Sequence, residues 1–345
     1  MVGIGVIGYG YWGPNLVRNF AEQPGARIAA VSDLRRENLA VVQRRYSSVR
    51  VTTSAQELID DPSVDAVAIA TPVASHFDLA MAALRAGKHV LVEKPMTATS
   101  EEALRLIDEA ARRRVVLMVD HTFVYSAAVR KIRELTVAGE LGDIHYYDSV
   151  RINLGLFQHD VNVLWDLATH DLSIMDFVLQ QTPTSVSATG LAHVPGQPEN
   201  IAYMTMFFDG RLIAHVHVNW LAPVKVRRTL LGGSRRMIVF DDLEASEKVK
   251  VYDRGISLNP SPENLYQMLV GYRTGDMSAP NIAVGEALSV EAAHFIDCIE
   301  RQQRPITDGE AGLRVVTLLE AATRSMREQG RLVTIGDSVA IDSGR

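Results

Sequence analysis

Apolar residues recur along this chain in two rhythms, and the change between them falls near residue 120. Before that point, short continuous apolar runs at 3–7, 27–31, 66–70, 89–92 and 115–119 alternate with stretches of helical periodicity at 37–45, 55–59, 76–86 and 100–113. Continuous runs separated by helices are the signature of strands buried on both faces in a parallel sheet. The punctuation agrees with this reading. Thr53-Ser54 precedes the helix at 55 and Thr99-Ser100 the one at 100, both as N-caps, and Gly87 closes the helix before it.

Beyond Asp120 a helix is predicted over 127–138, ended by Gly139. Runs rich in β-branched and aromatic residues follow at 145–154, 186–192, 201–208, 212–220, 226–232, 237–241 and 248–253, several of them alternating, which predicts an antiparallel sheet. Helical periodicity returns at 165–179, 288–301 and 309–328, while 259–281 reads as a long loop and 338–345 as a loose tail. The chain therefore reads as an α/β protein with a doubly wound parallel sheet at residues 1–121, an α/β substrate and oligomerisation domain at 122–335 and a tail at 336–345.

Composition narrows the function classes. The 345 residues are 47% hydrophobic and 22% charged, an ordinary globular balance that suits two domains. A net charge of -6 offers no general attraction to nucleic acid or to an anionic membrane. The single cysteine, Cys298, lies among Phe295, Ile296 and Ile299 and reads as a buried inert thiol. No apolar run reaches the length of a membrane span, and the first strand begins where a signal peptide would sit, so a cytoplasmic location is expected.

Candidate chemistry begins at the first strand. It runs into Gly8-Tyr9-Gly10-Tyr11-Trp12-Gly13, a G-x-G-x-x-G turn opening a helix, and Asp33 ends the second strand 20 residues after Gly13. Gly8 permits the turn, Gly10 admits a pyrophosphate and Gly13 packs the helix on the sheet. The backbone of Gly8, Gly10, Tyr11, Trp12 and Gly13 then faces the phosphates, and Asp33 faces the adenosine ribose. This predicts a dinucleotide, NAD in preference to NADP because of the carboxylate. Arg35 and Arg36 leave the 2′-phosphate of NADP as the alternative, or serve only as solvated residues of the next helix.

Three further clusters sit where an open parallel sheet binds ligands, or on a helix face. Thr71 and Pro72 follow the strand at 66–70, with His76 capping the next helix or touching the cofactor. Glu93-Lys94-Pro95 follows the strand at 89–92, where an ammonium could stabilise charge on a reacting oxygen; taken alone such a pair is usually just solvated. Asp166 and His170, four apart on a helix, suit proton exchange near neutral pH, or a buried pair that serves only packing. No third ligand at suitable spacing supports a metal site.

These residues together resemble the Gfo/Idh/MocA family, named for glucose–fructose oxidoreductase and inositol 2-dehydrogenase. The resemblance rests on Gly8, Gly10, Gly13, Asp33, Thr71, Pro72, His76, the Ala86-Gly87-Lys88-His89-Val90 run, Glu93-Lys94-Pro95, Asp166 and His170, and reaches Arg304-Pro305-Ile306-Thr307-Asp308-Gly309. It implies a Rossmann domain followed by an open, mostly antiparallel sheet that forms homodimer or homotetramer contacts. It also implies Lys94 at both substrate and nicotinamide, His170 as acid/base and Asp166 as its positioning partner. Ala168-Thr169 departs from the family's usual glycine before the histidine.

The runs 151–158, 160–170, 227–229, 240–242 and 247–248 resemble the nucleotide-sugar branch, with dehydrogenases acting at the third carbon and ketoreductases of deoxysugars. Tyr125, Asn153, Gln158 and Asn162 are the sugar-binding candidates. A free-sugar or inositol dehydrogenase, and a non-catalytic NAD(P)-binding regulator, are the alternatives.

Overall fold

The structure is a computed structural model and describes residues 1–155, 158–258 and 270–336. The chain forms two compact units. The first holds Met1–Ser126 together with Gly285–Glu320, and the second holds Ala127–Val284 and the chain from Ala321. Residues 285–320 thus fall with the first 126 residues in this division.

In the first unit the order is β1 (Val2–Ile7), α1 (Gly13–Ala21), β2 (Ala26–Ser32), α2 (Arg36–Arg45), β3 (Arg50–Thr52), α3 (Ala55–Ile59), β4 (Ala66–Ile69), α4 (His76–Arg85), β5 (His89–Glu93), α5 (Ser100–Arg113) and β6 (Leu117–Asp120). The strands form one parallel sheet in the order β3-β2-β1-β4-β5-β6, so the strand order reverses between β1 and β4. Every residue of β1 and β4 is buried, which is why their sequences are unbroken apolar runs. Strand β3, three residues long, escaped the sequence reading. The caps formed where expected: Ser54 Oγ accepts from the Glu57 N–H at 3.3 Å, Thr99 Oγ1 accepts from the Glu102 N–H at 3.2 Å, and Gly87 adopts φ +76°.

The second unit contains α6 (Ala127–Val137), β7 (Ile144–Leu154), α7 (Thr169–Leu179), β8 (Ser185–Leu191), β9 (Ile201–Phe207), β10 (Ile213–Asn219), β11 (Leu221–Gly233), β12 (Met237–Asp241), β13 (Val249–Tyr252), β14 (Gly255–Leu258), β15 (Val270–Arg273) and β16 (Met277–Ser278). β14 and β15 pair with each other, inside or beside the stretch expected to be an irregular loop; residues 259–269 of that stretch lie outside the described residues, as does the tail from 337.

Two long helices follow, α8 (Ala287–Arg301) and α9 (Gly309–Arg327), then β17 (Val333–Thr334). The large sheet runs β16-β13-β12-β11-β7-β10-β9-β8-β17 and is antiparallel except for the β10–β7 pair.

Helix α8 belongs to the first unit because its apolar face is buried there. Phe295 meets Phe20 of α1 edge-on at 6.1 Å, and the Arg18 guanidinium donates to both Glu286 carboxylate oxygens at 2.9 and 2.6 Å. Met118 bridges Asp308 as well. These contacts span more than 180 positions of sequence, and no local pattern announces them. Among the described residues no helix is long and apolar enough to cross a membrane.

Candidate active site

The candidate residues fall into two groups, one inside each unit. In the first unit the turn after β1 has the shape that a dinucleotide requires. Gly8 has φ +94°, and a Cβ there would stand 2.4 Å from the Ala70 carbonyl oxygen; a Cβ on Gly13 would stand 2.1 Å from that of Gly8. A Cβ on Gly10 would meet only Arg35 Nη2 at 3.5 Å, leaving that side of the turn open. Trp12 stands at the N-cap of α1 without a side-chain capping bond; its indole Nε1–H donates instead to Asp120 Oδ2 at 2.7 Å. Tyr11 is exposed. The geometry fits a pyrophosphate held on backbone N–H groups at a helix start.

Asp33 is buried at the end of β2. Its Oδ2 accepts from the Tyr9 N–H at 2.7 Å and its Oδ1 from the Arg35 N–H at 2.8 Å. Burial pushes its pKa up, but those two N–H groups, Asn38 and the Arg35 charge outweigh it and hold the pKa below the ordinary value. A fixed anion at this place suits a ribose diol and opposes a 2′-phosphate. Arg35, largely exposed, lies 3.7 Å from the carboxylate.

At the carboxyl ends of β4 and β5 the arrangement differs from the expectation in one respect. His76 is buried, with Nδ1 2.9 Å from the Pro95 carbonyl oxygen and Nε2 2.8 Å from that of Thr71. The ring ties two strand ends together and is not exposed toward a cofactor. Thr71 accepts from the Ser75 hydroxyl at 2.8 Å, and it and Pro72 stay partly exposed at the strand end.

Lys94 is the first residue after β5 and is partly exposed; the Lys94–Pro95 peptide is cis. Glu93 pairs in register with Asp120 of β6. Its pKa is raised well above the ordinary value, by burial first and then by the Asp120 charge. Glu291 of α8 is fully buried, and its pKa is raised in the same direction by burial, Asp120 and Glu93. Directly after Asp120, burial and the Lys94 charge lower the His121 pKa to about 3. Glu93 thus shares an acid cluster with the buried Asp120 and Glu291, and both it and Lys94 are partly exposed at the strand end. The Cys298 thiol, buried and 3.4 Å from His294 Nε2, is pushed up to about 11, in keeping with an inert role.

In the second unit the expected helix over 165–179 starts as a π-turn, Leu164–Ala168, and becomes α-helical only at Thr169. The Thr169 hydroxyl donates to the Trp165 carbonyl at 2.6 Å, and such side-chain competition for a carbonyl loosens the regular ladder. Asp166 lies in the wide turn, where its Oδ2 accepts from the Trp220 indole N–H at 3.0 Å. His170 opens α7, partly buried, and its carbonyl accepts from the Ser173 hydroxyl at 2.8 Å. Trp220, fully buried, gave no sequence signal of its link to Asp166, 54 positions away.

Two of the four sugar-binding candidates are used for structure. Tyr125 is 1% exposed: it ends a 3₁₀ turn that aims the ring inward, packs on His294 at 5.4 Å and bonds Thr307 Oγ1 at 3.0 Å. Asn162 is buried, and its Oδ1 accepts from the Leu164 and Trp165 N–H groups at 3.1 and 3.3 Å, a helix cap that its position before an apolar run could have announced. Asn153, at the end of β7, and Gln158 are partly exposed.

With this geometry in view, known proteins supply a context. The family described as "Oxidoreductase family, NAD-binding Rossmann fold" matches residues 2–121, and the "GFO/IDH/MocA C-terminal domain" matches residues 129–239. UDP-N-acetylglucosamine 3-dehydrogenase of Acidithiobacillus ferrooxidans is 30% identical over 315 residues, covering 90% of this chain and 93% of that protein. A solved structure of that enzyme matches with a TM-score of 0.79 at 29% identity, over 95% of this chain and all of the other. The NAD-dependent scyllo-inositol 2-dehydrogenase of Bacillus subtilis is 26% identical over 340 residues, covering 95% of this chain and 93% of that protein.

Proposed function

The chain belongs to the Gfo/Idh/MocA family of NAD-binding oxidoreductases, and from that premise we propose that it oxidises or reduces a ring carbon of a nucleotide-linked sugar. The observation that carries this reading is Lys94, held at the carboxyl end of β5 on the same sheet edge as the Gly8–Gly13 turn. Similarity to UDP-N-acetylglucosamine 3-dehydrogenase along nearly the whole chain supports the substrate class.

NAD, when bound, supplies a hydride acceptor. The Gly8, Gly10, Tyr11, Trp12 and Gly13 backbone would hold its phosphates and Asp33 its ribose. The Lys94 ammonium donates to the reacting hydroxyl and stabilises its oxygen as the proton leaves. His170 takes that proton, and Asp166, fixed by Trp220, positions the sugar or the ring. Asn153 and Gln158 bind sugar hydroxyls. The open sheet of the second unit joins copies into a homodimer or homotetramer. A cytoplasmic location gives access to NAD.

The test is NADH formation, followed by its near-ultraviolet absorbance, when the protein is offered NAD and UDP-N-acetylglucosamine, free N-acetylglucosamine or scyllo-inositol. Turnover of the nucleotide sugar alone supports the reading, and turnover of scyllo-inositol alone replaces it with an inositol dehydrogenase. Lys94→Ala should cut turnover by about two orders of magnitude or more while leaving NAD affinity nearly unchanged. Unchanged turnover in that variant would remove Lys94 from the chemistry.

A further inference from the structure

Arg151 begins one of the runs that resemble the nucleotide-sugar branch, yet it is only 4% exposed and meets no solvent-borne sugar. Its partner is Asp171, 2% exposed and the residue directly after His170. Arg151 Nε–H donates to Asp171 Oδ2 at 2.7 Å and Nη2–H to Oδ1 at 3.3 Å, while the Ser149 hydroxyl donates to Oδ1 at 2.6 Å. The Tyr147 hydroxyl donates to the Asp171 main-chain carbonyl at 3.1 Å. Tyr147, Ser149 and Arg151 alternate along β7, so their side chains share one face of the strand, the face toward α7. Three residues of one strand thus converge on one residue of one helix.

Apolar contacts from Leu172, Ile174, Met175 and Val178 already bury α7. Such contacts tolerate small rotations and slides of a helix, whereas a forked guanidinium–carboxylate pair with a third donor does not. A buried ion pair contributes little net stability and is better suited to fixing one arrangement. An anchor of this kind is needed here because the π-turn Leu164–Ala168 interrupts the regular ladder immediately before His170.

We propose that Arg151 and Asp171, with Ser149, are positioning residues that set the placement of the His170 imidazole. This rests on the reading of His170 as the acid/base.

The test combines kinetics with nuclear magnetic resonance of histidine-labelled protein, the His170 ring signal being assigned by its loss in His170→Gln. Asp171→Asn keeps the shape and removes the charge. It should lower kcat toward UDP-N-acetylglucosamine about tenfold, move the His170 titration midpoint down by about half a pH unit or more, and leave NAD affinity unchanged. Ser149→Ala, which keeps the ion pair and removes one donor to Asp171, should lower kcat by less and move the His170 midpoint by less. If folded Asp171→Asn and Ser149→Ala both keep the wild-type His170 midpoint and kcat, the proposal is overturned. If Asp171→Asn does not fold, Ser149→Ala decides, and where no sugar is turned over the His170 midpoint decides. His170→Gln run alongside separates the two ideas: full activity in that variant removes the acid/base role, whereas an inactive His170→Gln beside wild-type clamp variants removes only the clamp.

Discussion

The indole N–H of Trp12 donates to the Asp120 carboxylate at 2.7 Å, joining the dinucleotide turn after β1 to the end of β6 across 108 positions of sequence. The Thr122 hydroxyl donates to the other oxygen of Asp120 at 2.5 Å, so the acceptor is itself fixed. A hydrogen bond to a charged group contributes about 1.5–3 kcal/mol. Trp12→Phe should therefore weaken NAD binding by about tenfold, measured by calorimetric titration, with little change in secondary structure. Unchanged affinity would mean that the bond does not shape the turn.

Gly13→Ala tests the close packing beneath the same turn. Its Cβ would stand 2.1 Å from the Gly8 carbonyl oxygen, a backbone atom that cannot move without opening the turn. Overpacking of this kind costs about 1–3 kcal/mol. A lowered melting temperature and loss of NAD binding are expected together.

The buried Glu291 gives a pH signature. Burial raises its folded-state pKa, so the folded form favours the protonated acid. The stability this contributes is fully present below the unfolded pKa of about 4.3 and is lost as pH rises through the folded pKa, at about 1.4 kcal/mol per unit of displacement. Glu291→Gln, permanently neutral, should match wild type near pH 4 and become progressively more stable than it toward pH 8 in denaturant titrations. A constant difference across that range would contradict a protonated Glu291.

Tyr125→Phe separates a buried support from a sugar contact. Thr307 Oγ1 already donates to the Val119 carbonyl at 2.7 Å, so the Tyr125 hydroxyl is the donor in their mutual bond. Removing it should lower stability by about 1 kcal/mol and leave the KM for the sugar unchanged. A raised KM with unaltered stability would return Tyr125 to the substrate.

What the sequence determined lies within single elements or at their ends. The Gly8–Gly13 turn, Asp33 at the end of β2, Lys94 after β5 and the caps at Ser54 and Thr99 follow from local sterics and hydrogen bonding, which a few consecutive residues specify. The alternation of runs and helices likewise dictated the parallel sheet.

Tertiary structure decided the rest. The expected α-helical spacing of Asp166 and His170 gave way to a π-turn, and Asp166 found Trp220 from a distant strand end. His76 turned inward onto the Thr71 and Pro95 carbonyls and Tyr125 onto the remote Thr307, and 285–320 joined the first unit because α8 buries its apolar face on α1. Glu93 and the buried Asp120 and Glu291 come together only after two strands and a helix pack. Burial and its pKa consequences depend on which surfaces meet, and contacts between residues hundreds of positions apart leave no periodicity in the chain that makes them.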